Sequence, residues 1–446
     1  MRTVDILSQN RKMNTADIYK LYEECAFSVC TDTRNLKPGS LFICLKGANY
    51  DANSFARTAV DGGCSYALAS DFSVCDGLRI HYVPDTLAVL QELAGMHRQK
   101  MNATVIGIGG SNGKTTTKEL TAAVLSKRFN TVATQGNLNN HIGVPLTLLR
   151  LRPETAMAVV ELGTNQPGEI ATLCRIAQPD AGIITNIGKE HLEGFGSLEG
   201  VAREESELYR YLQLNNGLAF VNADDEWLLR MSSRLKHTEH YGYRQMDNHK
   251  FSVHVNTWFP QLNMRLTAEE ETIGCTSALA GAHNLTNILA AISIGAHYGI
   301  PISEAAAAIE AYKPANNRSQ WIQTPHNLIW LDAYNANPSS MQAAMESFAA
   351  WEHPRKVLML GDMYELGASA ETEHLAIGNL ALSLGFKEVF LVGDCFHRIM
   401  TPRAGINTFL QVGNLKQYLS AHAIEGAAIL VKGSRGVAME SLVAVL

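Results

Sequence analysis

What most constrains this chain is a set of short apolar runs that do not alternate in polarity. They are A-T-V-I-G-I-G-G (103–110), A-M-A-V-V-E-L-G (156–163), A-G-I-I-T-N-I-G (181–188), N-L-I-W-L-D-A-Y (327–334), K-V-L-M-L-G-D (356–362), E-V-F-L-V-G-D (388–394) and A-I-L-V-K-G-S (428–434). A strand with one wet face alternates; a run that is apolar at every position suits a strand covered on both faces, as in a parallel sheet. Between the runs lie Ala/Leu-rich stretches of helical length, such as H-N-L-T-N-I-L-A-A-I-S-I-G-A-H (283–297). Alternating strands and helices predict α/β domains, with ligands at the carboxyl ends of the strands. Each run finishes in small or polar residues, so those ends are where chemistry is expected.

At 446 residues the chain exceeds one ordinary domain. The pattern divides it into three: a mixed α/β N-terminal domain (1–98), a central P-loop ATPase-like parallel sheet (99–313) and a Rossmann-like C-terminal domain (314–446). The helix L-A-V-L-Q-E-L-A-G-M-H-R-Q-K closes the first, and Pro314 with two asparagines interrupts the pattern before the third. With 37 Lys+Arg against 43 Asp+Glu and no long run of one sign, the charge argues against non-specific nucleic-acid binding. The eight cysteines include no C-x-x-C, and their spacing suggests neither a disulfide framework nor a zinc knuckle. The N-terminus lacks an apolar signal region and no run approaches the ~18 apolar residues of a membrane span. The expectation is a cytoplasmic protein without membrane insertion.

The most informative single stretch is V-I-G-I-G-G-S-N-G-K-T-T-T-K (105–118). Strict Walker A spacing would need glycine at 108, where Ile108 stands; the glycines run instead at 107, 110 and 113. The physical parts of a phosphate cradle remain. Glycines let backbone N–H groups wrap an anion, and the start of a helix adds its positive dipole end. Gly110, Ser111, Asn112, Gly113, Lys114, Thr115 and Thr116 are the candidate nucleotide-binding residues. Lys114 would reach the β/γ-phosphates and the Thr115 hydroxyl would ligate Mg²⁺. A tight strand–helix turn with an exposed lysine is the plainer alternative. A hard cation wants oxygen ligands, and Glu161 ends a strand where a ligand would lie, although a solvated strand end reads the same way. A lone histidine such as His191 is more often structural, and R-E-E-S-E (203–207) by itself reads as a solvated helix face. Residue types alone stop at an ATP- and Mg²⁺-dependent enzyme.

The order of motifs resembles the Mur ligase family, ATP-dependent amide-bond-forming enzymes of peptidoglycan synthesis. G-G-S-N-G-K-T-T is similar to that family's phosphate loop, usually T-G-[TS]-[NS]-G-K-T, with Gly109 in place of the common threonine. G-N-L-N-N-H-I-G-V-P-L (136–146), E-L-G (161–163), T-N-I-G-K-E-H-L (185–192), G-A-H-N-L-T-N (281–287), N-N-R-S-Q (316–320), D-A-Y-N-A-N-P (332–338) and L-V-K-G-S-R-G (430–436) follow in family order. Three stretches, H-L-E-G-F-G-S-L-E-G, L-G-D-M-Y-E-L-G and D-T-R-N-L-K-P-G-S-L-F-I-C-L-K-G, are most similar to the branch that joins D-Ala-D-Ala to UDP-N-acetylmuramoyl-tripeptide. The D-N-P-R frequent in the diamino-acid-adding branch is absent. Folylpolyglutamate synthases share the loop but lack the uridine-binding N-terminal domain, for which residues 1–98 provide. The family's frequent D-G-H reads Asp51-Ala52-Asn53 here.

The resemblance implies an acyl-phosphate mechanism that yields ADP and phosphate, with ATP and Mg²⁺ as cofactors and a monomeric enzyme. It implies catalytic or metal roles for Lys114, Thr115, Glu161 and His191, the last holding a second Mg²⁺. Asn284, Arg318, Asp332 and Asn335 match positions around the nucleotide. Thr33, Arg34, Lys46, Asn139, Asn140, Lys432, Ser434 and Arg435 match substrate-binding positions. Much of the family carries a CO₂-carbamylated lysine fourteen residues after the metal-binding histidine, where this chain has Glu205. Glutamate presents a carboxylate without modification, so Glu205 is expected to replace the carbamate at the metal. Two other readings stand beside this one: another Mur-type ligase that adds the diamino acid, and a regulatory nucleotide-binding protein that does not ligate.

Overall fold

The computed structural model describes residues 13–244, 249–268, 271–314, 317–401 and 405–446. The N-terminal dodecapeptide and Asn316 of N-N-R-S-Q lie outside them. The chain forms two compact units, one comprising Met1–Gly107, Phe129–Gly163 and Glu169–Ala181, the other Ile108–Arg128, Thr164–Gly168 and Gly182–Leu446.

In the first unit β1 (Val29–Cys30), β2 (Leu41–Ile43), β3 (Tyr66–Ala69) and β4 (Ile80–Tyr82) form a wholly parallel sheet in sequence order. Phe42, Cys44, Ala56, Val60, Ala67 and Ile80 pack together beside it. The helix Thr86–Lys100 starts where the Asp85 carboxylate accepts the Leu87 and Ala88 N–H groups, the expected cap at a helix start. The same unit holds β5 (Thr104–Gly109), β6 (Thr131–Ala133) and β7 (Met157–Glu161) in the order β5-β7-β6, although the last two residues of β5 belong to the second unit.

The second unit continues with β8 (Ala181–Ile184), whose first residue belongs to the first unit, β9 (Leu218–Asn222) and β10 (Thr238–Tyr241), in the order β10-β9-β8. β11 (Ser252–Thr257), β12 (Leu262–Ala268) and β13 (Glu271–Ser277) make an antiparallel sheet that the sequence reading did not foresee. Its strands carry polar residues on their open face and no long apolar run, so they lack the non-alternating pattern of a buried parallel strand. The last sheet contains β14 (Gln320–Gln323), β15 (Leu328–Asp332), β16 (Lys356–Gly361), β17 (Glu388–Val392), β18 (Ile406–Phe409) and β19 (Ala428–Lys432), ordered β14-β15-β19-β16-β17-β18. Only the β14–β15 pairing is antiparallel.

This last sheet shows why its strands lack alternation. Trp330, Leu358, Leu360, Ala428 and Leu430 enter one core, while Ile329, Leu331, Val357, Met359, Ile429 and Val431 enter another. Successive side chains point to opposite faces, and both faces are dry. At ~25 cal/mol per Å² of buried apolar surface, this two-sided burial is the main favourable term for the sheet. The helix Pro338–Ala350 that covers it begins with proline at its first position and a reciprocal Asn337–Ser340 capping box. Among the described residues no helix is long and apolar enough to cross a membrane.

Candidate active site

The glycine-rich turn joins β5 to the helix Lys114–Leu125, and two of its glycines are there by steric necessity. Gly110 has φ +112, and a Cβ on it would lie 2.6 Å from the Thr185 backbone nitrogen. Gly113 has φ +81, and its Cβ would lie 2.5 Å from Asn287 Oδ1. Both conformations strongly disfavour a side chain. The T-N-I-G segment after β8 props the turn. Ser111 N–H donates to Asn186 O (3.0 Å), Asn112 N–H to Asn186 Oδ1 (3.1 Å), Thr185 Oγ1 to Asn112 O (2.7 Å) and Gly188 N–H to Ser111 Oγ (2.9 Å). Thr117 Oγ1 donates to Asn287 Oδ1 at 3.1 Å, tying the helix to G-A-H-N-L-T-N. The loop is therefore fixed in a shape that presents helix N–H groups to an anion. Thr115 and Thr116 lie in the first turn and are buried.

Lys114 bends back over the loop, where its ammonium donates to Gly110 O and pairs with Glu190 Oε2 at 3.3 Å. Nothing local in the sequence marks Glu190, whose charge is one of several in K-E-H-L-E. Glu205 is the position that the family resemblance marks, and the structure corrects the reading of R-E-E-S-E as a solvated face. Arg203 is exposed, but Glu204 and Glu205 turn inward, with Glu205 wholly buried. Glu205 Oε2 accepts the Gly110 N–H at 2.7 Å, and Glu204 accepts the Gly168 N–H at 2.7 Å. Burial pushes the Glu205 carboxyl up to about 8, with Lys114 and the Gly110 N–H pulling down and Glu190 and Glu204 pushing up. A Cβ on Gly109 would lie 2.8 Å from Glu205 Oε2, so the missing side chain at 109 leaves the space that the carboxylate uses.

Among the described residues no group of three or more His, Cys, Asp or Glu side chains forms a ready cation cage. The donor chemistry nonetheless suits a hard cation. Glu190 Oε1 and Glu205 Oε1 are buried oxygens without a hydrogen-bond partner, the kind of atom a divalent ion satisfies. His191 sits at φ +44 at the start of the short helix Leu192–Phe195, with Nε2 3.9 Å from Glu190 and Nδ1 2.6 Å from Glu365 Oε2.

The nucleotide-matching residues near the C-terminal sheet form a second polar group. Asn284 is buried and donates to Ala280 O (2.7 Å) and Ser319 Oγ (3.2 Å). Asp332 and Lys432 are register partners at the carboxyl ends of β15 and β19, with Oδ2 and Nζ 2.5 Å apart. Burial would raise the Asp332 carboxyl, but the Lys432 ammonium, His283 and the Ser319 N–H together hold it below its ordinary value. Lys432 also donates to Asn335 O, while the Asn335 residue itself is exposed. Ser434 Oγ accepts the Tyr364 N–H at 3.0 Å. The guanidinium groups of Arg318 and Arg435 stand over the Tyr334 ring, 3.7 and 5.3 Å from its centre. Cation–π contact on one ring sets two of the anticipated residues side by side.

The remaining candidates lie in the first unit. Asn139 Nδ2 donates to Glu161 Oε1 at 2.8 Å, which orients that carboxylate. Asn140 accepts the Ile142 and Gly143 N–H groups, so it shapes the start of the helix Gly143–Leu148. Arg34, next to Thr33, forks onto Asp32 and holds its carboxyl at about 2; Lys46 pairs with Asp51 at 3.0 Å. Asn53, in the D-A-N departure, is buried: it donates to Asp51 Oδ1 (2.7 Å) and accepts the Ser70 N–H (2.8 Å). It pins one loop to the end of β3.

A phosphate loop braced by the T-N-I-G segment, with a second polar group at adjacent strand ends, suits a nucleotide-dependent enzyme, and the likeness of the whole sequence says which class: the chain belongs to the Mur ligase family, ATP-dependent amide-bond-forming ligases. Residues 108–295 match the Mur ligase middle domain and residues 317–435 the Mur ligase, glutamate ligase domain. The chain is 38% identical to the UDP-N-acetylmuramoyl-tripeptide–D-alanyl-D-alanine ligase of Escherichia coli (strain K12), over 94% of this chain and 93% of that protein. It is 36% identical to the enzyme of the same name from Bacillus subtilis (strain 168), over 95% and 93%. Its fold is similar to that of MurF from Acinetobacter baumannii, with a TM-score of 0.84 and 32% identity over 94% of this chain and 92% of that one.

Proposed function

We propose that this chain is the ATP-dependent ligase that joins D-Ala-D-Ala to UDP-N-acetylmuramoyl-tripeptide, forming the peptidoglycan pentapeptide precursor with release of ADP and phosphate. The observation that carries the reading is the braced phosphate loop with Lys114 at its mouth, in a chain alike over nearly its whole length to ligases of that name. A carboxylate resists amines because it is anionic and would have to expel oxide. Phosphorylating it with ATP makes an acyl phosphate, which the free amine of the dipeptide attacks. Phosphoryl transfer asks chiefly for positioning and charge neutralisation.

Lys114, released from Glu190, meets the β/γ-phosphates. Thr115 and Glu161 would hold one Mg²⁺, and His191 with Glu205 a second; magnesium, when bound, neutralises the phosphate oxygens. Glu205 stands in for the carbamylated lysine, its buried unpartnered oxygen supporting that role. Asn284, Arg318, Asp332 and Asn335 serve the nucleotide, and Thr33, Arg34, Lys46, Asn139, Asn140, Lys432, Ser434 and Arg435 the other substrates. We assign 1–98 to the UDP-substrate, 99–313 to ATP and ligation and 314–446 to the Rossmann-like C-terminal domain, in a monomer of the cytoplasm.

Mass spectrometry of the product, with ADP release measured alongside, tests the reaction. One ADP should form per pentapeptide, and only when tripeptide and dipeptide are both present. ADP formation with a diamino acid and UDP-dipeptide instead would move the enzyme to the neighbouring branch, and no ligation with any pair would leave a binding protein. For Glu205, the wild type should keep its activity in CO₂-depleted buffer while Glu205→Gln loses most of it at limiting Mg²⁺. Full activity of Glu205→Gln at every Mg²⁺ level refutes that assignment.

A further inference from the structure

We propose that Glu365 is a positioning residue for His191: a carboxylate from the loop after β16 that fixes the ring of a metal ligand in the segment after β8. Glu365 belongs to L-G-D-M-Y-E-L-G, in the loop after β16, and His191 to T-N-I-G-K-E-H-L. Glu365 Oε2 lies 2.6 Å from His191 Nδ1, an ion-pair approach without full hydrogen-bond alignment. It leaves Nε2 facing Glu190, on the side of Lys114. Metal-bound histidines commonly hold their second nitrogen against a carboxylate, which sets tautomer and ring direction. Here that partner comes from a loop of a separate sheet, so the ligand is oriented only where that loop meets the segment after β8.

The approach is held by the backbone as well as by the side chains. Glu365 has φ +62 and His191 φ +44, conformations that a loop keeps only when its surroundings impose them. The Glu193 N–H donates to Glu365 O at 3.1 Å. On the same segment the Lys189 N–H donates to Ser339 Oγ at 2.8 Å and its ammonium pairs with Glu373 at 2.6 Å. Asn337 Nδ2 donates to Asn112 Oδ1 of the phosphate loop at 2.9 Å. The segment that carries His191 is thus clamped at several points by elements of the C-terminal sheet, and Glu365 is the one that faces the imidazole.

The inference rests on the reading of His191 as a metal ligand, and the experiment separates the two. Mn²⁺ affinity is measured by electron paramagnetic resonance on the full chain with a non-hydrolysable ATP analogue, for wild type, Glu365→Gln, Glu365→Asp and His191→Ala. The ring nitrogens of His191 are followed by ¹⁵N NMR without metal. Glu365→Gln should weaken Mn²⁺ binding about 10–100-fold and shift the His191 tautomer balance, with thermal unfolding unchanged and partial recovery in Glu365→Asp. Wild-type Mn²⁺ affinity and unaltered ring signals in Glu365→Gln, with His191→Ala impaired, overturn the positioning role alone. Wild-type affinity in His191→Ala overturns the ligand reading and this inference with it.

Discussion

Adding one methyl group at Gly109 should destabilise this protein almost entirely through Glu205. Gly109 is not among the glycines with positive φ, so alanine there costs no backbone strain. The contact is another matter: the new Cβ would stand 2.8 Å from Glu205 Oε2 and 3.5 Å from Leu208 Cδ2. A carbon and an oxygen settle at ~3.5 Å, so the carboxylate must retreat by several tenths of an ångström in a packed interior. It has nowhere open to go, being fully buried with Oε2 bonded to the Gly110 N–H. Overpacking costs about 1–3 kcal/mol, and weakening a hydrogen bond to a carboxyl that burial keeps largely protonated at neutral pH up to about 0.5–1.5 kcal/mol. Gly109→Ala alone should therefore cost about 2–3 kcal/mol. In a Glu205→Ala background the same methyl enters vacated space and should cost under about 1 kcal/mol. A double-mutant cycle by urea denaturation, with amide exchange at Gly110 as a local probe, measures the coupling. Additivity of the two substitutions within about 0.5 kcal/mol would refute the argument.

Lys114→Ala should remain folded yet lose ligation by on the order of 10²–10³-fold, as expected on removing a charge partner of the transferring phosphate; near-normal turnover would remove the loop from the mechanism. Phe259 stacks on Trp351 and meets Trp321 and Trp330 edge-on, so Phe259→Ala should cost about 3 kcal/mol and change tryptophan emission. His97 is buried between the Tyr19 hydroxyl at Nδ1 and Leu151 O at Nε2, a pairing that suits the neutral ring, and burial lowers its affinity for a proton. An unfolded histidine takes its proton near pH 6.5, so this contribution is complete above that pH and is lost as pH falls below it. Urea midpoints at pH 7.5 and 5.5 should fall more for wild type than for His97→Gln, and equal falls would count against His97.

The sequence by itself determined the sheets that bury both faces, the strand–loop–helix cradle and the order of motifs, because each is written in neighbouring residues. Period, glycine placement and the Lys-Thr pair act within a turn or two of chain. Tertiary structure decided which charges matter. R-E-E-S-E has the same local composition whether its glutamates face water or a phosphate loop, and only the packing of the helix Leu198–Leu214 turned Glu204 and Glu205 inward. Glu190 gained its place through Lys114, and Glu365 through a loop of another sheet meeting His191. Asn53 reads in sequence only as a departure from the family's D-G-H, yet in space it is a buried tie between two loops. A charge acquires its meaning from desolvation and from partners a few ångströms away. Those partners lie far off along the chain, where no local pattern records them.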